Sequence, residues 1–204
     1  MVHPAFKTPV VVKNLLIING LLYLAAALLP TANQLLATYG QLFWVGSPLF
    51  HSYQFVTYMF LHGGFDHLFF NMFALWMFGR TLEYELGPRR FLIFYMVCGV
   101  GAALFQMGVA WLLGEVNFAM VGASGAVMGL LMAFGVMHPN ERIYIFPLPF
   151  PIAAKWFVTG YILLEIFLGS AGLGRGVAHF AHVGGMVWGF LLLHYWKRRR
   201  EIFF

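Results

Sequence analysis

Long stretches without charge recur along this chain, and they constrain its fold more than any other feature. A helix needs about 20 predominantly apolar residues to cross roughly 30 Å of hydrocarbon. Six segments have such a composition, the fourth of them short: residues 11–29, 64–82, 91–113, 124–138, 152–168 and 177–196. With 61% hydrophobic residues and 9% charged residues, the 204-residue chain has more apolar surface than a soluble domain of its size can bury. The sequence therefore predicts an all-α, polytopic bundle of six transmembrane helices whose surroundings are a lipid bilayer.

The chain is predicted to form one domain over residues 1–204, because no long linker, low-complexity tract or clear repeat divides it. The first apolar segment, followed by PTAN at residues 30–33, imitates a signal peptide with a cleavage site. We favour a retained transmembrane helix, since its removal would leave five spans. Cys98 is the only cysteine, so no intramolecular disulfide can form, and its place in the third segment is typical of a small buried residue.

Basic side chains are distributed unevenly between the two sides of this predicted bundle. The two ends of the chain and alternate connections hold eleven of the twelve: Lys7, Lys13, Arg80, Arg89, Arg90, Arg142, Lys155 and residues 197–200. The opposite side holds only Arg175. Basic residues stay preferentially in the cytoplasm, so both termini are predicted to be cytoplasmic. The net charge of +5 then reflects membrane topology, and we expect no nucleic-acid partner.

Polar side chains concentrate in the outer halves of three predicted spans. Ser124 begins the fourth span, and His182 lies about five residues into the sixth, roughly 8 Å along its axis. His67 and Asn71 are four residues apart on one face of the second span, and His62 lies about one turn further out. Buried imidazoles and amides need partners or water. We therefore expect a small wet cavity that opens to the external side.

Glycines flank both the serine and the histidine. Gly125 and Gly129 are four residues apart, as are Gly185 and Gly189. This spacing is common in ordinary packing of membrane helices, where it lets two backbones approach closely. Here we expect it to bring span four against span six, with the serine within reach of the histidine.

Three blocks, in this order, resemble the rhomboid family of intramembrane serine proteases: HGGFDHLFFN at residues 62–71, GASG at residues 122–125 and AHVGG at residues 181–185. A weaker match runs from Glu83 to Gly87 and includes Arg89 and Arg90. Each block alone is common, but together, on the required helices, they are specific over about residues 53–192. The resemblance implies the six-helix prokaryotic form of that fold.

The resemblance also implies proteolysis by a Ser-His dyad that acts on peptide bonds in or near transmembrane segments of other membrane proteins. Ser124 would be the nucleophile, and His182 the general base and then acid, since a serine hydroxyl is inert until an imidazole accepts its proton. His67, Asn71 and the Ser124 backbone N–H would form the oxyanion hole, with His62 in support. The glycines of these blocks, predicted to support the site, are Gly122, Gly125 and Gly185. No cofactor and no metal are expected.

Two carboxylates and a set of histidines leave alternatives open. Asp66 or Glu165 could extend the dyad to a triad, although Asp66 is explained more simply as a charge at a helix N-terminus. Glu165 is explained as a protonated or hydrogen-bonded packing residue, or as a polar contact at the fifth helix, which in this family is thought to move aside for substrate. An intramembrane zinc site is a further alternative, since His62 and His67 are five residues apart, His179 and His182 are three apart, and Asp66 is nearby. The HExxH signature is absent, however, and the serine block would remain unexplained.

Two positions depart from the family pattern. Where many relatives have Trp-Arg in the first external loop, this chain has Tyr53-Gln54, which puts a role carried over from that arginine in doubt. One turn after the nucleophile, some relatives have a tyrosine beneath the imidazole, and this chain has Met128. A thioether packs against a ring but donates no hydrogen bond. We therefore expect His182 to be oriented less firmly.

Two rival functions come from other classes. A catalytically inactive relative that binds transmembrane helices would share the fold, but such proteins usually lack the serine or the histidine. A small transporter would use the polar cavity for protons or cations, yet the cytoplasmic halves of the spans show little polarity. Short external loops and no targeting extension favour the plasma membrane of a prokaryote over an organelle. No pattern in the sequence indicates the physiological substrate or the oligomeric state.

Overall fold

The computed structural model describes residues 7–115, 117–144, 149–173 and 178–202, and this part of the chain is mainly helical. The helices are α1 (Val10–Leu28), α2 (Pro30–Leu35), α3 (Gln54–Thr57), α4 (Phe65–Leu86), α5 (Pro88–Leu113), α6 (Ser124–Met137), α7 (Ala154–Ser170) and α8 (His179–Arg198). A π-helical turn covers Leu36–Gly40, and a 3-10 turn covers Tyr58–Phe60. Two antiparallel pairs of two-residue strands complete the fold: β1 (Leu42–Phe43) with β2 (Ala119–Met120), and β3 (Arg142–Ile143) with β4 (Ile152–Ala153).

The predicted all-helical architecture is confirmed, and each of the six predicted spans corresponds to one long helix. These are α1, α4, α5, α6, α7 and α8, whose limits differ from the predicted ones by at most four residues. The predicted start of the sixth span, residue 177, lies outside the described residues. Within the described part, α1 and α5 are long and apolar enough to cross a bilayer, and α6 is a shorter apolar helix. The number of spans and the cytoplasmic location of the termini remain predictions.

Helix α6 lies at the centre of the bundle, where it packs against α4, α5, α7 and α8. Its closest approach is to α8, because neither backbone carries a side chain at the contact. A Cβ atom on Gly185 would overlap the backbone oxygen of Gly125, and one on Gly189 would lie 3.1 Å from the oxygen of Gly129. This confirms the expected packing of span four against span six. Cys98 is fully buried as predicted, with its sulfur against Gly129.

Helices α1 and α4 run in opposite directions, so α1 begins at the end of the bundle where α4 ends. The first turn of α1 has backbone N–H groups without helical partners, and the Glu83 carboxylate of α4 accepts hydrogen bonds from two of them. Val11 N donates to Glu83 Oε1 over 2.9 Å, and Val12 N donates to Oε2 over 2.7 Å. The carboxylate also faces the positive end of the α1 dipole. This contact holds α1 against α4 at the end where most of the basic residues lie.

A buried amide organises the loop between α2 and α3, where the family pattern has an arginine. Gln54 is fully buried, and its Oε1 accepts a hydrogen bond from Phe43 N over 3.4 Å. Its Nε2 donates to Leu49 O over 2.8 Å and to Tyr39 O over 3.3 Å. One glutamine therefore satisfies three backbone groups of this loop, while Tyr53 is half exposed.

We expect Glu83→Ala to lower the free energy of unfolding by about 1–3 kcal/mol, because it leaves one buried and one partly buried N–H group without an acceptor. Thermal unfolding of the purified protein in detergent measures the change. Glu85→Ala is the matched control, since Glu85 pairs with His138 at a partly exposed position and such pairs contribute about 0–1 kcal/mol. Equal losses in the two variants would contradict this account of the α1–α4 contact.

Candidate active site

The end of the bundle opposite Glu83 contains a cavity of about 830 Å³. Helices α4, α6 and α8 begin at this end, and α5 and α7 finish there. The walls include Ser124, His182, His67, Asn71, Gly122 and Gly125. The structure therefore brings together side chains from three helices that are far apart in sequence. Met128 and Asp66 also line the cavity.

Gly122 allows the serine and one histidine to be neighbours. Its φ of +122° is a conformation that side chains disfavour, and its N–H donates to Tyr58 O over 2.9 Å. A Cβ atom at this position would lie 2.7 Å from the His67 ring and 3.7 Å from Ser124 Oγ. Only glycine leaves room for the imidazole of α4 beside the hydroxyl that begins α6.

The backbone segments that carry Ser124 and His182 are themselves in contact. Gly125 follows the serine, and Ala181 precedes the histidine. A Cβ atom on Gly125 would meet Ala102, and it would lie 3.6 Å from the carbonyl oxygen of Ala181. Gly125 and Gly185, both predicted to support the site, therefore set the separation of the two helices on which the serine and the histidine lie.

The two residues predicted for an oxyanion hole lie one turn apart on α4. Asn71 is 6% exposed, and its Nδ2 donates to the carbonyl oxygen of His67 over 2.8 Å. That bond uses one of the two amide hydrogens, so the second remains for another acceptor. The amide is therefore held in place without losing its capacity to donate into the cavity.

His62 lies just before α4, where its ring packs against the ring of His67 with centroids 5.1 Å apart and planes at 69°. Burial lowers the pKa of His62 to about 4, and the neighbouring His67 contributes to this shift. The imidazole is consequently neutral at physiological pH. A neutral ring beside His67 adds no positive charge to the wall of the cavity.

A buried carboxylate from α7 holds the ring of His182. Glu165 is 4% exposed, and its Oε1 lies 3.0 Å from His182 Nδ1. Its other oxygen, Oε2, lies 2.6 Å from Nδ1 of His179, which precedes His182 by one turn of α8. The expectation that Met128 leaves His182 less firmly oriented is therefore wrong, because the restraint comes from α7. Among the described residues, no hydrogen bond joins Asp66 to this histidine.

In the sequence alone, Glu165 is one of two candidate carboxylates for a triad, and His179 is a candidate metal ligand only. The available signal was the spacing of three residues between the two histidines on α8, which places both on one face. What the sequence does not give is the register of α7 against α8. That register places the Glu165 carboxylate within hydrogen-bonding distance of the His179 and His182 rings.

Three described residues are close enough to share a metal ion: Glu165, His179 and His182, with possible ligand atoms within 4.8 Å of one another. His62, His67 and Asp66, which the zinc alternative included, are not part of this group. The three side chains are already joined by hydrogen bonds of 2.6 and 3.0 Å. Their donors and acceptors satisfy one another directly, so the geometry has an explanation that needs no ion.

The fold and the site together define a class: a helical membrane protein with a polar cavity at one end of its bundle. Comparison with known families is more specific, because residues 50–199 match the model of the Rhomboid domain. The chain belongs to the rhomboid family, whose members are embedded in membranes.

The chain is similar to curated rhomboid proteins from several sources. It is 34% identical over 139 residues to the mitochondrial Rhomboid protein 1 of Saccharomyces cerevisiae, with 65% of this chain and 38% of that protein covered. It is 32% identical over 147 residues to Rhomboid protease AarA of Providencia stuartii, with 66% and 52% covered. It is 31% identical over 150 residues to the putative rhomboid protease YdcA of Bacillus subtilis, with 72% and 68% covered. The match thus spans only part of the length of the first two relatives.

We expect Gly185→Ala to lower the unfolding temperature in detergent, because the new methyl group would overlap the backbone of Gly125. Overpacking of this kind typically costs about 1–3 kcal/mol. Gly160→Ala in α7 is the matched control, since no atom lies within 4 Å of its added Cβ and alanine favours helices. If the unfolding temperature of Gly185→Ala were no lower than that of the control, the α6–α8 contact would have space for the added methyl group.

Proposed function

We propose that this protein is an intramembrane serine endopeptidase, with Ser124 as nucleophile and His182 as general base. The observation that carries the proposal is the convergence of these two residues on one cavity, with their flanking backbones in direct contact. Family membership supports it, since the chain is similar to proteins named as rhomboid proteases.

In the proposed reaction, Nε2 of His182 removes the proton from Ser124 Oγ as the oxygen attacks the scissile carbonyl carbon. The C=O bond opens to a tetrahedral oxyanion. When the carbonyl reforms, the C–N bond breaks, and the imidazolium returns its proton to the leaving amine. Water then attacks the acyl-enzyme by the same route, with the imidazole again as base.

The negative oxygen of the intermediate requires donors that are in place before it forms. The Ser124 N–H is one candidate, because it belongs to the first turn of α6 and has no helical acceptor. The free amide hydrogen of Asn71 and the ring of His67 are the others. One such donor is typically worth about 2.7–4 kcal/mol of transition-state stabilisation.

Rhomboid proteases act on transmembrane proteins within the membrane, and we propose substrates of that class for this chain. A transmembrane helix hides its carbonyl groups in its own hydrogen bonds, so the segment must unwind before Ser124 can attack. Small or helix-breaking residues near the interface should therefore mark a cleavage site. With the predicted topology, the cavity faces the external side of a prokaryotic plasma membrane, and cleavage releases an external fragment.

Both Ser124→Ala and His182→Ala are expected to reduce cleavage of a transmembrane reporter by about 1000-fold or more, because the nucleophile and its base act as a unit. Purified protein in detergent or liposomes and gel analysis of the reporter measure the loss. Ser170→Ala and His194→Ala are matched controls, since both residues are exposed and lie outside the cavity. Wild-type cleavage rates in both Ser124→Ala and His182→Ala would refute the assignment.

The same preparations separate the alternatives. A fluorophosphonate probe labels only an activated serine, so labelling that disappears in Ser124→Ala supports the enzyme. A protein that binds the reporter helix without cleavage or labelling would instead be an inactive relative. Cleavage that survives Ser124→Ala and stops with a chelator would indicate metal-dependent hydrolysis.

A further inference from the structure

The buried group formed by Glu165, His179 and His182 constrains its own protons. His179 Nε2 lies 3.1 Å from Leu173 O, and a carbonyl oxygen can only accept. His179 Nε2 therefore carries a hydrogen. Its other nitrogen, Nδ1, faces Glu165 Oε2 over 2.6 Å, so one proton lies between these two atoms, whichever of them holds it.

This leaves Glu165 Oε1 as an acceptor. His182 Nδ1 lies 3.0 Å from it and must therefore donate. The one alternative puts the proton of a neutral carboxyl group on Oε1, but it leaves His179 as a buried cation with no counter-charge, which is costly. The favoured arrangement places the hydrogen of the His182 ring on Nδ1 and the lone pair on Nε2.

We propose that Glu165 and His179 are positioning residues that hold His182 in the tautomer required of a general base. This inference rests on the proposed protease function and extends its dyad by a carboxylate and a second imidazole. The lone pair on Nε2 accepts the proton of Ser124 Oγ, and the Nδ1–H bond to Glu165 persists throughout. When His182 becomes an imidazolium, the adjacent carboxylate oxygen stabilises its positive charge.

His179 contributes by orienting the carboxylate and by limiting the cost of burying it. Glu165 and His179 share one proton between them, so the pair has no net charge at rest, and its exposure is only 4% and 7%. The carboxylate is thus held by His179 as well as by His182, and its second oxygen is committed to His179.

Glu165→Gln removes the charge and preserves the shape. In this variant a neutral His179 keeps its hydrogen on Nε2 for Leu173, so its Nδ1 accepts from the Gln amide. The Gln oxygen is then directed at His182, and the tautomer is retained. We expect kcat for reporter cleavage and the rate of fluorophosphonate labelling to fall about 10- to 100-fold, with KM changed less than twofold.

Glu165→Gln combined with His179→Phe removes the group that selects the amide orientation. The amide can then turn its NH2 toward His182 Nδ1, which shifts the ring hydrogen to Nε2. We expect a further loss in kcat of tenfold or more. Nitrogen NMR of protein with labelled histidine, with the His182 signals assigned from the His182→Ala spectrum, reports the tautomer directly. Wild type and Glu165→Gln should show hydrogen on Nδ1, and the double variant should show it on Nε2 or on both.

Glu85→Gln is the matched control, because it makes the same change in a Glu–His pair at the other end of the bundle, where Glu85 lies 2.9 Å from His138. It should leave labelling, kcat and the His182 signals unchanged. Unfolding temperatures of all variants separate loss of activity from loss of structure.

The positioning role is overturned if Glu165→Gln keeps more than half of the wild-type kcat, or if wild-type His182 carries its hydrogen on Nε2. It is also overturned if activity falls only in proportion to the folded fraction. These outcomes are distinct from failure of the protease assignment, which appears as cleavage that is insensitive to Ser124→Ala.

Discussion

The contact between α6 and α8 is the constraint on which the rest of the molecule depends. At Gly125 and Gly185 the two backbones meet with no side chain between them, and Gly129 and Gly189 repeat the arrangement about one turn further along the helices. This separation brings the start of α6, with its serine, next to the start of α8, with its histidine. The other helices then surround this pair, and α7 adds a carboxylate from the far side of the histidine.

Three buried side chains of this bundle each satisfy a small local set of polar groups. Glu83 accepts hydrogen bonds from two backbone N–H groups of α1. Gln54 is hydrogen-bonded to backbone groups of one loop, and Glu165 is hydrogen-bonded to two histidines. Each set is buried, and a polar group inside an apolar bundle costs free energy unless it is hydrogen-bonded. The set around Glu165 differs from the other two, because it borders the cavity that holds Ser124.

The rhomboid pattern alone suggested a histidine without a strong restraint, since Met128 replaces a tyrosine. In the structure, the His182 ring has a different partner, the Glu165 carboxylate. An imidazole needs a partner on Nδ1 if Nε2 is to present a lone pair, and that partner can come from any helix packed against it. In this chain it comes from α7, and a second histidine holds the carboxylate.

Much of the fold was predictable because a bilayer limits what an apolar chain can form, so the six predominantly apolar segments marked six helices with small errors at their ends. Glycine spacing predicted which helices approach closely, and residues 62–71, 122–125 and 181–185 indicated the cavity. The short strand pairs, the Gln54 contacts and the partners of Glu165 could not be predicted. They depend on the register of one element against another. Sequence periodicity indicates which face of a helix is buried, but it does not indicate how far the helix is shifted along its axis relative to its neighbours. Sequence alone thus determined the helices and the chemistry available to them, and tertiary packing decided which carboxylate meets the histidine.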